Sequence, residues 1–402
     1  MVFANPNADR RDYDSGLKSI LSIERGNESR RWLSSWTLLR PGATPLWMLP
    51  RVARRLSIDQ LWIKDESLRS PLGSFKSLGA PIALLRLILR RWPEQNWTAE
   101  DLLAGRHAGR LKDFVVVSAT DGNHGRALAA AAHSVGCRCV IVLHARVSPE
   151  REGPIAALGA EIVRISGNYD QSVQEAAHLG AAHGWQVVSD TSYDGYEEVP
   201  RDVMQGYAII AEEVLEATQK QKACPFTHVV LQGGVGGLAA GIVSHFWERY
   251  GARRPTFIVV EPEQADCLLQ SALNGRPSRA SGSVDSVMAG LACGEASPIA
   301  WRILQPSVDI FMTVTDDDAV RAMRTLATGA EGDRPMVSGE SGAVGLAAMT
   351  TLSADAQGLR QAGVDQNARV LLLNTEGATA PLVFHALTGL TAEEVRSTQA
   401  RW

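Results

Sequence analysis

Lys76, in the segment RSPLGSFKSLGA, is the residue that most invites a chemical reading. Its neighbours Phe75, Leu72, Leu78, Gly73 and Gly79 are apolar or small, so the ammonium is expected to be partly desolvated. Desolvation lowers a lysine pKa and makes the amine available for a Schiff base. The plain alternative is a solvated surface lysine, the commoner fate of that residue type. The second feature is LQGGVGGLAAG, where Gly233, Gly234, Gly236 and Gly237 surround Val235. Small residues between a strand and a helix let backbone N–H groups close around a phosphate at the helix N-terminus. Glycine costs conformational entropy unless the backbone needs its freedom, which argues against an ordinary tight turn. The loop also fits a dinucleotide fingerprint: Gly234, Gly236 and Ala239 match G-x-G-x-x-G/A, and Glu261 ends the next strand near a ribose-binding position. An activated lysine plus a separate phosphate cradle is what pyridoxal phosphate requires, with its aldehyde and phosphate on opposite flanks of the ring. A nicotinamide enzyme would not need the lysine.

Alternating elements must position these groups. The apolar runs LWIKDE (61–66), FVVVSA (114–119), CVIVLH (139–144), EIVRIS, WQVVSD, THVVLQ (227–232), TFIVVE (256–261) and RVLLLNTEG (369–377) read as strands. Helical patterns lie at 77–91, 127–134, 149–158, 169–183 and 238–250. Continuously apolar strands separated by helices indicate parallel sheets covered on both faces. Ligands then sit at the carboxyl ends of strands, where every glycine-marked loop falls. Residues 1 to about 40 read as a polar N-terminal extension with some helix, and 274–286 as a mobile surface loop.

Composition narrows the class. By length, 402 residues suggest two or three domains. Forty basic against 44 acidic side chains give a net charge of -4, without the basic excess that nucleic-acid binding calls for. Hydrophobic residues at 45% support a sizeable core. The opening MVFANPNADRRDYD holds no apolar run of signal-peptide length, and the apolar stretch PIALLRLILRR is broken at Arg86. Five cysteines are too few for a disulfide scaffold. The expectation is a soluble, cytoplasmic enzyme with no nucleic-acid or membrane partner.

GSFKSLGA, SATDGNHGRALAAA and QGGVGGLAAG, in this order, resemble the fold type II pyridoxal phosphate enzymes, which include serine and threonine dehydratases and cysteine synthase. TPLWML, KDES, TDGNHGR, GWQVVSDT, MQGYA, MAGLACGE, SGESGAVGL and TEG are similar, more particularly, to the diaminopropionate ammonia-lyases, from about Thr44 to Gly377. The resemblance implies that Lys76 holds the cofactor as a Schiff base, with Phe75 beside it. Asn123 would hydrogen-bond the ring hydroxyl, and Gly233, Gly234, Val235, Gly236 and Gly237 would cradle the phosphate. Glu340 and Ser341 fall in a loop expected near the ring, although turn chemistry alone would explain them. Asn374 takes the position opposite the pyridine nitrogen, usually a serine. Asp121, where the wider fold type has a small neutral residue, would act as a second base, Lys76 serving L and Asp121 serving D substrates. Its plain reading is a helix cap. Asp190 matches an active-site aspartate, and Thr120 lies beside Asp121 in the substrate region. His124 reads as structural, and Cys267 and Cys293 match a cysteine pair that a reducing cytoplasm would leave as thiols.

The implied fold is α/β, with two domains that each carry a mostly parallel sheet flanked by helices. Residues 80–195 would form the smaller domain, and 1–79 with 196–402 the larger. The implied reaction is elimination of ammonia from D- or L-2,3-diaminopropionate by a homodimer. Tyr193–Asp194 and Ala378, in TEGAT, depart from the family pattern. They keep open a related β-elimination or β-replacement on another amino acid, beside the dinucleotide-binding alternative.

Overall fold

The computed structural model describes residues 1–402 except 121, 220–222 and 330–331. Its strands are β1 (Val2–Ala4), β2 (Leu46–Met48), β3 (Gln60–Asp65), β4 (Val115–Ala119), β5 (Arg138–Leu143), β6 (Glu161–Arg164), β7 (Gln186–Val187), β8 (His228–Gln232), β9 (Thr256–Pro262), β10 (Ile310–Val314) and β11 (Arg369–Asn374). They form a seven-stranded sheet, β1-β10-β9-β8-β11-β3-β2, and a four-stranded sheet, β6-β5-β4-β7. All pairs are parallel except the two edge pairings, β1 with β10 and β2 with β3. The larger sheet draws on both ends of the chain, and the smaller one lies between β3 and β8 in sequence.

The period-two alternation of side chains sorts the strand residues into separate cores. On one face of the large sheet Val229, Leu231, Phe257, Val259, Leu371 and Leu373 join the same core as Val116, Ile141 and Leu143 of the small sheet. That shared core fixes the two sheets against each other. The opposite face of the large sheet buries Val230, Ile258, Val260, Val370 and Leu372, and that of the small sheet buries Val117, Val140 and Val142. The shared layer includes the helix Glu198–Ala217, which packs on the helices Ile23–Leu33, Ala80–Arg91 and Gly237–Tyr250.

Lys76 does not start a long helix. A short 3-10 turn, Phe75–Leu78, precedes the helix Ala80–Arg91, because Pro81 suits only a first helical turn. The 274–286 segment is tied down: Asp266 accepts from the Ser281 N–H at 2.7 Å, and the Gln264 side chain from that of Ser283 at 3.1 Å. Among the described residues no helix is long and apolar enough to cross a membrane.

Candidate active site

A cavity of about 1080 Å³, open solvent included, lies at the carboxyl ends of β4, β8 and β11. One wall carries Lys76. Its loop is fastened to the end of β11, with the Phe75 N–H on the Thr375 carbonyl at 3.0 Å and the Gly377 N–H on that of Gly73 at 2.9 Å. The Lys76 ammonium sits 5.2 Å from the Phe75 ring centroid and donates to Asp190 Oδ2 at 2.5 Å. Asp190 follows β7, in a turn held by Tyr196, whose hydroxyl accepts from the Ser189 N–H at 3.0 Å and donates to the Val187 carbonyl at 2.9 Å. His124 donates from Nε2 to the Val188 carbonyl at 2.9 Å, and its Nδ1 lies 3.8 Å from Asp190 Oδ2. His124 lines the cavity, and its Nδ1 has no hydrogen-bond partner among the described residues.

Electrostatics reverse the expected state of the lysine. Burial pulls the Lys76 pKa down, but the adjacent Asp190 carboxylate outweighs burial and the net shift is upward. Burial pushes Asp190 up, and the Lys76 charge brings it well below the ordinary carboxylate range. The pair is therefore an ammonium and a carboxylate at neutral pH. Desolvation also lowers His124, which is neutral there.

A second wall is the glycine loop. Gly233, Gly234, Val235 and Gly237 line the cavity at the N-terminus of the helix Gly237–Tyr250. Gly236 turns the other way; its φ of +96° is left-handed, and a Cβ there would lie 2.9 Å from Leu304. A Cβ on Gly233 would lie 2.5 Å from the Glu261 side chain. Glu261 itself is fully buried beneath the loop and accepts from the Leu268 and Leu269 N–H groups at 2.9 and 2.8 Å. It caps a helix inside the protein and does not line the cavity, so the dinucleotide reading loses its ribose-binding acid.

The third wall comes from β4 and β11. Thr120 lines the cavity, while its hydroxyl accepts from the Gly122 and Gly125 N–H groups at 3.0 and 3.1 Å. Asn123 donates from Nδ2 to Glu376 Oε2 at 2.5 Å. Asp121 lies outside the described residues. Asn374 is fully buried and does not line the cavity; its Nδ2 donates to Asp65 Oδ1 at 2.8 Å and to the Val337 carbonyl at 2.9 Å. Glu340 lies behind the wall, ion-paired with Arg151, whose side chain does reach the cavity. Ser341 lines it as well. Cys267 and Cys293 are not joined in a disulfide.

Tyr207 and Glu376 also line the cavity. They sit in the segments MQGYA and TEG, where residue type alone assigns neither a role and only their placement distinguishes them from packing residues. Among the described residues no cluster of His, Cys, Asp and Glu is arranged to hold a metal ion. The arrangement offers a charged lysine paired with one carboxylate, facing a backbone cradle suited to a phosphate.

The family model described as pyridoxal-phosphate dependent enzyme matches residues 37–376. Diaminopropionate ammonia-lyase of Salmonella typhimurium is 36% identical, over 94% of this chain and 95% of the relative. The crystal structure of diaminopropionate ammonia lyase from Escherichia coli in complex with an aminoacrylate-PLP azomethine reaction intermediate superposes with a TM-score of 0.85. It is 32% identical and covers 96% of each chain. The same enzyme in complex with D-serine gives a TM-score of 0.86, with the same identity and coverage. The chain therefore belongs to the family of pyridoxal-phosphate dependent enzymes, and within it to the group of the diaminopropionate ammonia-lyases.

Proposed function

We propose that this chain catalyses the pyridoxal phosphate-dependent α,β-elimination of 2,3-diaminopropionate to pyruvate and ammonia. The observation that carries the reading is the Lys76–Asp190 pair, which shares one cavity with the glycine cradle. These residues fit the cofactor: an amine, a set of backbone donors at a helix N-terminus and the Asn123 side chain converge on one space. When bound, pyridoxal phosphate supplies a carbonyl for the amine and a sink for the electrons of the α-carbon.

The chain's own residues divide the remaining work. Lys76 would hold the cofactor, and Gly233, Gly234, Val235 and Gly237 its phosphate. Once released by substrate, the Lys76 amine takes the α-proton, and Asp190 stabilises the ammonium that results. The β C–N bond then breaks. Amine is a poor leaving group, so the Lys76 ammonium returns its proton to the departing nitrogen. Asp121, on the strength of its sequence context, would serve D substrates as the second base. Water converts the enamine left by the first ammonia into pyruvate and a second ammonia. The smaller sheet and its helices, 80–195, would form one domain and the rest the other. The same reading carries a cytoplasmic homodimer, which rests on the family likeness.

The test is product analysis with cofactor-loaded protein given D- and L-diaminopropionate and D- and L-serine separately. Pyruvate with twice its amount of ammonia, from diaminopropionate in preference to serine, is the expected result. Lys76→Ala should lose both turnover and borohydride-fixable cofactor. A variant that kept its yellow colour and activity would remove Lys76 from the mechanism.

A further inference from the structure

Among the described residues Glu376 is a carboxyl group with no cationic partner. It is 4% exposed, lines the cavity and is held by neutral donors alone. Oε1 accepts from the Ser341 N–H at 3.1 Å, and Oε2 from Asn123 Nδ2 at 2.5 Å and the Thr379 hydroxyl at 3.4 Å. Among the described residues it forms no ion pair. The cations that line the same cavity are engaged elsewhere: Lys76 with Asp190, Arg151 with Glu340, and Arg126 with the Leu72 carbonyl at 3.2 Å. Taking a carboxylate out of water is costly unless a positive partner comes with it.

The backbone gives this side chain little freedom to escape. The Glu376 carbonyl accepts from the Gly339 N–H at 2.9 Å, and Glu376 bridges Ser74 two residues before Lys76. Its carboxylate is therefore built into the wall that also carries the lysine. Asn374, the expected partner of the ring nitrogen, does not line the cavity; its Nδ2 is engaged by Asp65 and Val337, and its Oδ1 is buried without a hydrogen-bond partner among the described residues. At the carboxyl end of β11, Glu376 is the charged group that reaches the cavity.

We infer that Glu376 is the anionic seat for a protonated nitrogen of the bound ligand, either the cofactor's ring nitrogen or the β-amino group of the substrate. The inference rests on the pyridoxal phosphate reading. A carboxylate opposite the ring nitrogen keeps a proton there and deepens the electron sink. Opposite the β-amino group, it favours a diamino over a hydroxy substrate. Either role gives a buried charge the partner it lacks.

Glu376→Gln removes the charge and retains an acceptor for the Ser341 N–H, and Glu376→Asp retains the charge. Each is loaded with cofactor carrying ¹⁵N in the ring, and borohydride fixation is checked first. Wild-type protein that fails fixation would overturn the cofactor reading, a result distinct from failure of this one. A ring nitrogen protonated in wild type and unprotonated in the Gln variant assigns the seat to the cofactor. An unchanged ring signal, with the KM for diaminopropionate raised at least tenfold relative to serine and recovered in the Asp variant, assigns it to the substrate. If neither quantity moves in a folded, loaded Gln variant, the inference is wrong. Should that variant not fold, wild type decides: an unprotonated ring nitrogen with no preference for diaminopropionate over serine overturns it.

Discussion

Lys64 and Lys76 each pair with a carboxylate at 2.5 Å, yet their surroundings differ. Lys64 is sealed at 1% side-chain exposure. It donates to the Thr44 carbonyl at 2.7 Å and to Glu213, while Arg69 binds both Glu213 and Glu66. Two cations and two carboxylates close on one another with no space beside them. Lys76 has one carboxylate, 18% side-chain exposure and a cavity in front of it. Their pKa values move apart accordingly: burial wins at Lys64, which is lowered, and Asp190 wins at Lys76, which is raised. A charge whose partners are all supplied by the fold is structural. A charge with one partner and room beside it is placed for a ligand.

Removing the lone carboxylate should have the largest effect. Asp190→Asn is expected to lower turnover by about 10²–10⁴-fold, because the proton transfer carried out by Lys76 depends on the carboxylate that stabilises its ammonium. Because Asp190 raises the lysine pKa, its loss lowers that pKa and increases the neutral amine at neutral pH. Capture of added pyridoxal phosphate, followed by absorbance, should therefore become faster while turnover falls. Slower capture in a folded variant would contradict the assigned electrostatics.

In the sealed cluster the effect should be on stability alone. Glu213→Ala leaves Lys64 and Arg69 short of a buried partner, which costs about 3–5 kcal/mol. Urea unfolding would register the loss, while turnover per folded molecule stays near wild type. A large fall in turnover at unchanged stability would mean that the two lysine sites are not separate in function.

The sequence made one of these lysines legible and not the other. Lys76 stands in a run of small and apolar residues before a helix, an unusual setting for a charge, whereas Lys64 lies inside an ordinary apolar strand. The parallel strands were readable because burial on both faces makes them continuously apolar. The helix Glu198–Ala217 was not, because it is buried on nearly every side and the buried set includes the polar Asp202, Gln205, Glu212 and Glu213. The glycine loop announced itself, but the direction of each residue did not: Gly236 faces Leu304, and Asn374 faces Asp65. Glu376 was invisible for the same reason. Which way a side chain points at the end of β11 depends on loops 73–75 and 339–342, which pack there from distant parts of the chain.

Glu261 extends the comparison to a buried carboxylate that faces neither a cation nor the cavity. Burial pushes its pKa up to about 8 from an ordinary 4.5, although the Leu268 and Leu269 N–H groups pull the other way. Between those two values the native protein holds a proton that the unfolded chain has released, so stability falls as pH rises through that window. Glu261→Gln is neutral throughout and should lack this contribution. It also offers one acceptor oxygen to two backbone N–H groups, at a cost of about 1 kcal/mol. The difference in stability between wild type and variant should therefore shrink or change sign between pH 5 and pH 8, as read by urea unfolding at several pH values. Parallel pH profiles would show that Glu261 is ionised in the fold. It would then need a positive partner, as Lys64 needs Glu213, and the helix N-terminus at Cys267 would have to be supplying it.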